Sequence, residues 1–166
     1  MAYKPFDLTG KVVLVTGGNG GIGLGMALAC AEAGADICIW GNNPKKNDEA
    51  TAKLNATGRK VLTLQCNVAD EAEVQKTFAK TVEVMGKVDA CFANAGVSGS
   101  SGKPFVEFDT DDWHRVLGVN LHGAMYTLRA AAKHMVERGQ GGRLVVTAST
   151  AAIMGAPRAE HYAATK

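Results

Sequence analysis

Residues 11–23 read KVVLVTGGNGGIG, and this stretch decides the fold. Lys11 to Thr16 is a short β-branched run closed by Gly17 and Gly18, and beyond it Ile22, Met26, Ala29 and Cys30 recur at helical spacing up to Gly34. The order is strand, glycine turn, helix. At such a junction backbone N–H groups and the helix dipole together hold a pyrophosphate, which side chains would block. Two registers fit: Gly18, Gly20 and Gly23 satisfy G-x-G-x-x-G, while Gly17, Gly21 and Gly23 satisfy G-x-x-x-G-x-G. A loop that merely turns the chain is the plain alternative; the flanking strand and helix weigh against it.

Outward from this unit the pattern recurs. Residues 37–40 are apolar, 47–55 can be helical, and 60–65 form another strand candidate ending before Asn67. Val74, Phe78, Val82 and Met85 give a one-sided helix over 71–85 that delivers the chain to an apolar run at 88–92. A glycine- and serine-rich loop follows at 96–102. Thr110, with Asp111 and Asp112 behind it, reads as a helix start, its hydroxyl capping and the acids meeting the positive end of the dipole. That helix is expected to reach about Arg138, Gly141 and Gly142 break the pattern, and 143–148 read as a fifth strand. Five nearly all-apolar strands alternating with helices imply parallel pairing with both faces covered. The fold class is α/β, a doubly wound parallel sheet of Rossmann type.

A chain of 166 residues, 46% hydrophobic, buries roughly 70% of its unfolded surface, which suits one core and so a single domain over residues 1–166. The net charge of +2 comes from 18 basic and 16 acidic residues with no run of like charges, so no nucleic-acid footprint is read. The first seven residues do not resemble a signal peptide, and no segment approaches the ~18 uninterrupted apolar residues of a membrane span. The expectation is a soluble cytoplasmic protein without membrane or nucleic-acid partners. Cys30, Cys38, Cys66 and Cys91 lie apart in apolar runs, as small hydrophobes in a reducing compartment do. His114, His122, His134 and His161 match no metal-ligand spacing, and no metal is expected.

The dinucleotide fingerprint calls for an acid about twenty residues on, at the end of the second strand, to bind the adenosine ribose of NAD. Residues 40–43 instead read WGNN, with Asn42 in that region. No acid repels a 2′-phosphate, and Lys45 and Lys46 stand near enough to attract one, although such lysines ordinarily mark a solvated turn. The expected cofactor is NAD(P), with a slight lean to NADP.

At the other end, Tyr162 and Lys166 stand at i and i+4, on one face of a helix. A free phenol titrates near ~10, so proton exchange near neutrality needs its phenolate stabilised by about 4 kcal/mol, and a lysine cation has the required sign. Alone, this spacing is weak. Together with the loop Thr16, Gly17, Gly21, Ile22 and Gly23, the turn Asn94-Ala95-Gly96, Asn120 within Val119-Asn120-Leu121, and Ser149 thirteen positions before Tyr162, it resembles the short-chain dehydrogenase/reductase family from Lys11 to Lys166.

The resemblance implies an oxidoreductase transferring hydride between NAD(P) and a secondary alcohol or ketone. Tyr162 would be general acid or base, Ser149 would hydrogen-bond the substrate oxygen, Lys166 would favour the phenolate and hold the nicotinamide ribose, and Asn120 would hold a water linking Lys166 to solvent. Gly17, Asn19, Gly21, Ile22 and Gly23 would line pyrophosphate and ribose, Asn94 and Gly96 the adenosine side, and Asn67 and Val68 the adenine. The chain departs from the pattern in having Asn67 for an aspartate and Ala93 for the first asparagine of an Asn-Asn-Ala-Gly turn. Homo-oligomers, dimers or tetramers, are implied too.

Family members continue past the lysine, so the carboxyl-terminal part of the fold is expected to be absent here and the chain to be an incomplete copy of a longer one. Substrate identity is not readable. A cofactor-binding protein without turnover is the main competing reading; a nucleotide-sugar epimerase or dehydratase on the same fold is a third.

Overall fold

The structure, a computed structural model, describes residues 6–99 and 102–166. The first five residues of the amino-terminal stretch and Ser100 and Ser101 of the polar loop lie outside the described residues. The elements in chain order are β1 (Val12–Thr16), α1 (Gly21–Glu32), β2 (Asp36–Gly41), α2 (Pro44–Asn55), β3 (Val61–Gln65), α3 (Glu71–Met85), β4 (Ala90–Ala93), α4 (Thr110–Leu117), α5 (Gly123–Arg138), β5 (Arg143–Val146), α6 (Ala151–Met154) and α7 (Glu160–Ala164). A 3-10 turn at Phe105–Glu107 precedes α4, and a π-helical segment, Gly118–His122, joins α4 to α5.

The strands lie in the order β3-β2-β1-β4-β5, every pair parallel, as the all-apolar runs required. Alternate residues of each strand feed opposite layers. Val12 and Leu14, with Cys38 and Trp40, pack under α3 and α5 against Val74, Phe78, Ala131 and Met135. Val13 and Val15, with Ile37 and Ile39, pack under α1 and α2 against Ala27, Ala31, Ala50 and Leu54. Connections turn in opposite directions from β1, toward β2 and toward β4, which opens a crevice at the carboxyl ends of these strands.

Local chemistry moves three boundaries from where the sequence placed them. Thr110 is the first residue of α4 rather than its cap: Asp109, in extended conformation, accepts from the Asp111 N–H at 2.9 Å, a better acceptor one position earlier. The helix expected from residue 47 begins at Pro44, because Asn43 accepts from the Lys46 N–H at 3.0 Å and proline at the first helical position forfeits no hydrogen bond. The single long helix to Arg138 is interrupted by the π segment, which ends at His122; on Gly123, the first residue of α5, a Cβ would stand 2.7 Å from Val68 Cγ2, so the helix passes the end of β3 only with glycine at that point.

On the far edge, all four residues of β5 are exposed, Leu144 at 45%, Val145 at 38% and Val146 at 55%. No helix among the described residues is long and apolar enough to cross a membrane. Burial pushes the thiols of Cys38 and Cys91 up to about 12, which keeps them protonated in the core.

Asp89, just before β4, ties three elements together. Its carboxylate accepts from the Val12 N–H at 2.9 Å and pairs with Lys87 and Arg138, each at 3.0 Å. Burial opposes ionisation, but these partners outweigh it and hold the carboxyl below its usual range. His134 works in the neutral form: burial and then Arg138 depress its pKa, and its Nε2 accepts from the Val88 N–H at 3.2 Å. Both groups bind protons less readily folded than unfolded. Their stabilisation is therefore complete above the unfolded values, near ~6.5 for His134 and ~4 for Asp89, and is lost as pH falls from each toward the lowered folded value. Thermal unfolding followed by circular dichroism should show Asp89→Ala costing about 1.5–3 kcal/mol at pH 7, with a smaller difference from wild type below pH ~4.

Candidate active site

The junction of β1 and α1 is shaped by what its glycines leave out. Gly17 has φ +64°, and a Cβ on it would lie 2.9 Å from Ala95 Cα; a Cβ on Gly23 would lie 2.3 Å from the Gly17 carbonyl oxygen. By contrast, nothing lies within 4 Å of a Cβ built on Gly20. Crowding does not separate the two registers, since a Cβ on Gly18 would also stand 2.6 Å from Ile39 Cγ2; backbone conformation does, because Gly17 and Gly21 have φ of +64° and +50°, whereas Gly18 and Gly20 are not in the left-handed region. No side chain caps α1, so its first turn keeps backbone donors and the positive dipole end for an anion. Ile22 stands beside them 67% exposed, an apolar side chain open at the mouth of the turn.

The carboxyl ends of β1, β4 and β5 are stitched together by side chains. Thr16 Oγ1 accepts from the Asn94 and Ala95 N–H groups, both at 3.1 Å, and Asn94 Nδ2 donates to the Thr16 carbonyl at 3.0 Å. On its other side Asn94 Oδ1 accepts from Thr147 Oγ1 at 3.1 Å. Asn94, read from the sequence as a wall of the adenosine cleft, thus spends its carboxamide on holding strands. Gly96 follows it on the cleft surface, where a Cβ would come 3.3 Å from Asn120 Oδ1 and 3.6 Å from Lys166 Nζ.

Around that point gather the residues read as catalytic. Lys166 Nζ donates to the Thr147 carbonyl at 3.0 Å and lies 5.6 Å from the centroid of the Tyr162 ring. Asn120, buried in the π segment, accepts from the Val97 N–H at 2.8 Å and donates to the Val97 carbonyl at 3.1 Å and to Thr165 Oγ1 at 3.2 Å. Its amide hydrogens are used up in joining loop and helix, and one lone pair of Oδ1 is left over. Ser149 Oγ accepts from the Ala151 N–H at 3.2 Å, starting α6, which leaves its own hydrogen to donate.

A cleft of about 240 Å³ runs from this junction over the ends of β2 and β3, lined among others by Gly17, Asn19, Asn42, Lys46, Asn67 and Val68. Asn19 Nδ2 donates to Asn47 Oδ1 at 2.8 Å, and buried Asn47 donates in turn to the Gly41 carbonyl at 3.0 Å. Asn42 is exposed. Asn67 Oδ1 already accepts from the Ala69 N–H at 3.2 Å, and the Val68 side chain is buried against α5, so the cleft sees mainly its backbone. Cys66 also borders the cleft, but burial raises its thiol to about 11 and rules it out as a ready nucleophile. A larger hollow of about 670 Å³ between α3 and α5 contains none of the residues read as functional.

Sequence reasoning missed Asn47, Thr147 and Thr165. Only Thr165 carried a signal, its place between Tyr162 and Lys166; the others act through partners distant in sequence.

The family model described as short chain dehydrogenase matches residues 11–166. L-rhamnose 1-dehydrogenase (NAD(P)(+)) of Sphingomonas sp. (strain SKA58) is 38% identical over 160 residues, covering 96% of this chain and 62% of that protein. 2-Dehydro-3-deoxy-D-gluconate 5-dehydrogenase of Dickeya dadantii (strain 3937) is 33% identical over 166 residues, covering all of this chain and 64% of that one. The crystal structure of NAD+-bound xylitol dehydrogenase superposes with a TM-score of 0.92 at 36% identity, over 96% of this chain and 60% of that one. The chain thus spans under two thirds of the length of these relatives.

The glycine geometry gives a direct test. Gly23→Ala should destabilise the protein by about 1–3 kcal/mol through overpacking against backbone, whereas Gly20→Ala should stay within about 0.5 kcal/mol of wild type, both by urea unfolding.

Proposed function

We propose that this chain, which belongs to the short-chain dehydrogenase family, carries the cofactor-binding and proton-transfer machinery of an NAD(P)-dependent oxidoreductase acting on a secondary alcohol or the corresponding ketone, with residues 1–166 working as one cofactor-binding domain. The observation that carries the reading is the convergence of Lys166, with Tyr162 beside it, and Asn120 on Gly96, in the same turn whose Ala95 packs on Gly17 before the uncapped α1. Bound NAD(P) would supply or accept the hydride. Gly17, Gly21, Ile22 and Gly23 would face its pyrophosphate with backbone donors, and Gly96 would leave room beside Lys166.

In this reading the Tyr162 hydroxyl gives its proton to the substrate oxygen on reduction and takes it back on oxidation. Lys166, 5.6 Å from the ring, has the charge that a developing phenolate needs. Ser149, with its hydrogen free, donates to the substrate oxygen as charge grows there. Asn120 offers its remaining lone pair toward a proton route from Lys166 to solvent. The substrate class proposed is a small alcohol or carbonyl compound; the relatives' names make sugars and polyols the first panel to try. Family resemblance supports a cytoplasmic homo-oligomer, dimer or tetramer.

For the cofactor, the end of β2 supports the lean to NADP. A Cβ on Gly41 would stand 2.2 Å from Asn19 Nδ2 and 2.3 Å from Asn47 Oδ1, so the Asn19–Asn47 pair occupies the space an acidic side chain would need. Lys46 lies at the rim of the same cleft. Binding without turnover is a second reading, favoured by α6: beside Ser149, Ile153 is 91% and Met154 83% exposed, and nothing described closes over a substrate there.

Tyr162→Phe separates the two. It should lower kcat by at least about 10²-fold while leaving the dissociation constant for NAD(P) within a factor of two or so; turnover equal to wild type would overturn the catalytic reading. Titration with both cofactors at equal ionic strength should give NADP an affinity at least equal to that of NAD, and Gly41→Asp should weaken both by disturbing the asparagine pair. A clear NAD preference in the wild type would remove the lean.

A further inference from the structure

Helix α7 holds Tyr162 in place with little of its own. It is five residues long and has no side-chain cap, and a helix so short does not persist without tertiary support. Its orientation must come from its anchors. Of its inward residues, Thr165 accepts from Asn120 and donates to the Tyr162 carbonyl at 2.8 Å. The other is His161, next to the tyrosine, only 1% exposed.

His161 sits in a socket built by the segment before α5. Its Nε2 lies 3.1 Å from Asp112 Oδ2, and since a carboxylate only accepts, that nitrogen carries the hydrogen. Asp112 is itself fixed by Arg115 at 2.6 Å, and Arg115 reaches the Ser98 carbonyl at 3.3 Å. The imidazole ring lies 4.7 Å from the Phe108 ring and stacks on Trp113 at 6.5 Å with an interplanar angle of 14°. Gly99 closes the socket: a Cβ there would come 2.5 Å from His161 Nε2. Nδ1 is buried with no hydrogen-bond partner, so the ring pays for its position in polar contacts.

Successive helical residues point about 100° apart. His161 and Thr165 therefore define one face, and Tyr162 and Lys166 the next. We propose that His161 is a positioning residue: by docking α7 into the socket of Gly99, Phe108, Asp112 and Trp113 it sets the rotation of the helix and hence the place of the Tyr162 hydroxyl, making those four residues part of the alignment of the proton donor. This rests on the reading of Tyr162 given above.

The test compares the purified chain with His161→Gln, which keeps a donor for Asp112, His161→Leu, which fills the space without one, and Gly99→Ala, which crowds the ring from the loop. In His161→Leu, kcat should fall roughly ten- to hundredfold with the cofactor dissociation constant unchanged, and His161→Gln should recover most of it. Separately from activity, the amides of Ala163 and Thr165, bonded to the carbonyls of Ala159 and Tyr162, should exchange with deuterium faster in His161→Leu and Gly99→Ala, while strands β1 and β2 keep wild-type protection. Equal loss of kcat in the Leu and Gln variants, or unaltered exchange in α7, would overturn the proposal. If the wild type turns over nothing, the catalytic reading fails while the exchange measurement still decides the docking.

Discussion

The structure hangs on the contact between Thr16 and Asn94. A parallel sheet leaves its strand ends as separate loops, each with backbone groups to satisfy. Here one hydroxyl accepts two N–H groups from the turn after β4, and one carboxamide returns a hydrogen bond to β1 while taking another from Thr147 beyond β5. Three strands are thereby held in register at the end where the crevice opens. Lys166 is fastened to the same line through the Thr147 carbonyl, and α1 can close on the turn only because Gly17 and Gly23 have no side chains. The glycine turn after β1 and the group around Lys166 share one scaffold.

Much of this was legible in the sequence because its causes are local. Strand and helix periods gave five βα steps in the observed order, and the glycine loop, Tyr162 and Lys166 declared themselves by spacing. What escaped notice was settled by competition or distance. Asp109 outdid Thr110 as a cap because the stronger acceptor stood one residue earlier. The close approach of the start of α5 to Val68 joins Gly123 to a residue distant in sequence, and neither that contact nor the π segment before it shows in a helical pattern. Asn94 and Asn120 stood out in the sequence as candidate site residues, yet in the structure their side chains bond to protein rather than facing empty space, a distinction that no spacing conveys.

The two kinds of anchoring differ in strength. Strand β1, which delivers the chain to the glycine turn, is buried by core on both sheet faces, whereas the end of the chain at α7 depends on a histidine, a threonine and a lysine that each reach a different neighbour. Opening free energies commonly differ between such regions, with thinly packed segments at the low end. The helix bearing Tyr162, the proton donor in the function proposed above, therefore has more freedom to adjust than the glycine turn after β1.

The bare outer strand has a consequence for handling the polypeptide. Among the described residues no strand pairs with the outer edge of β5, whose leucine and valine side chains are exposed, and such a row of N–H and C=O groups is a template on which another strand can lie. Solubility of these 166 residues is then governed by how often two molecules meet as well as by how firmly each one folds. Dilution, or charge introduced on that row, acts where added core stability would not.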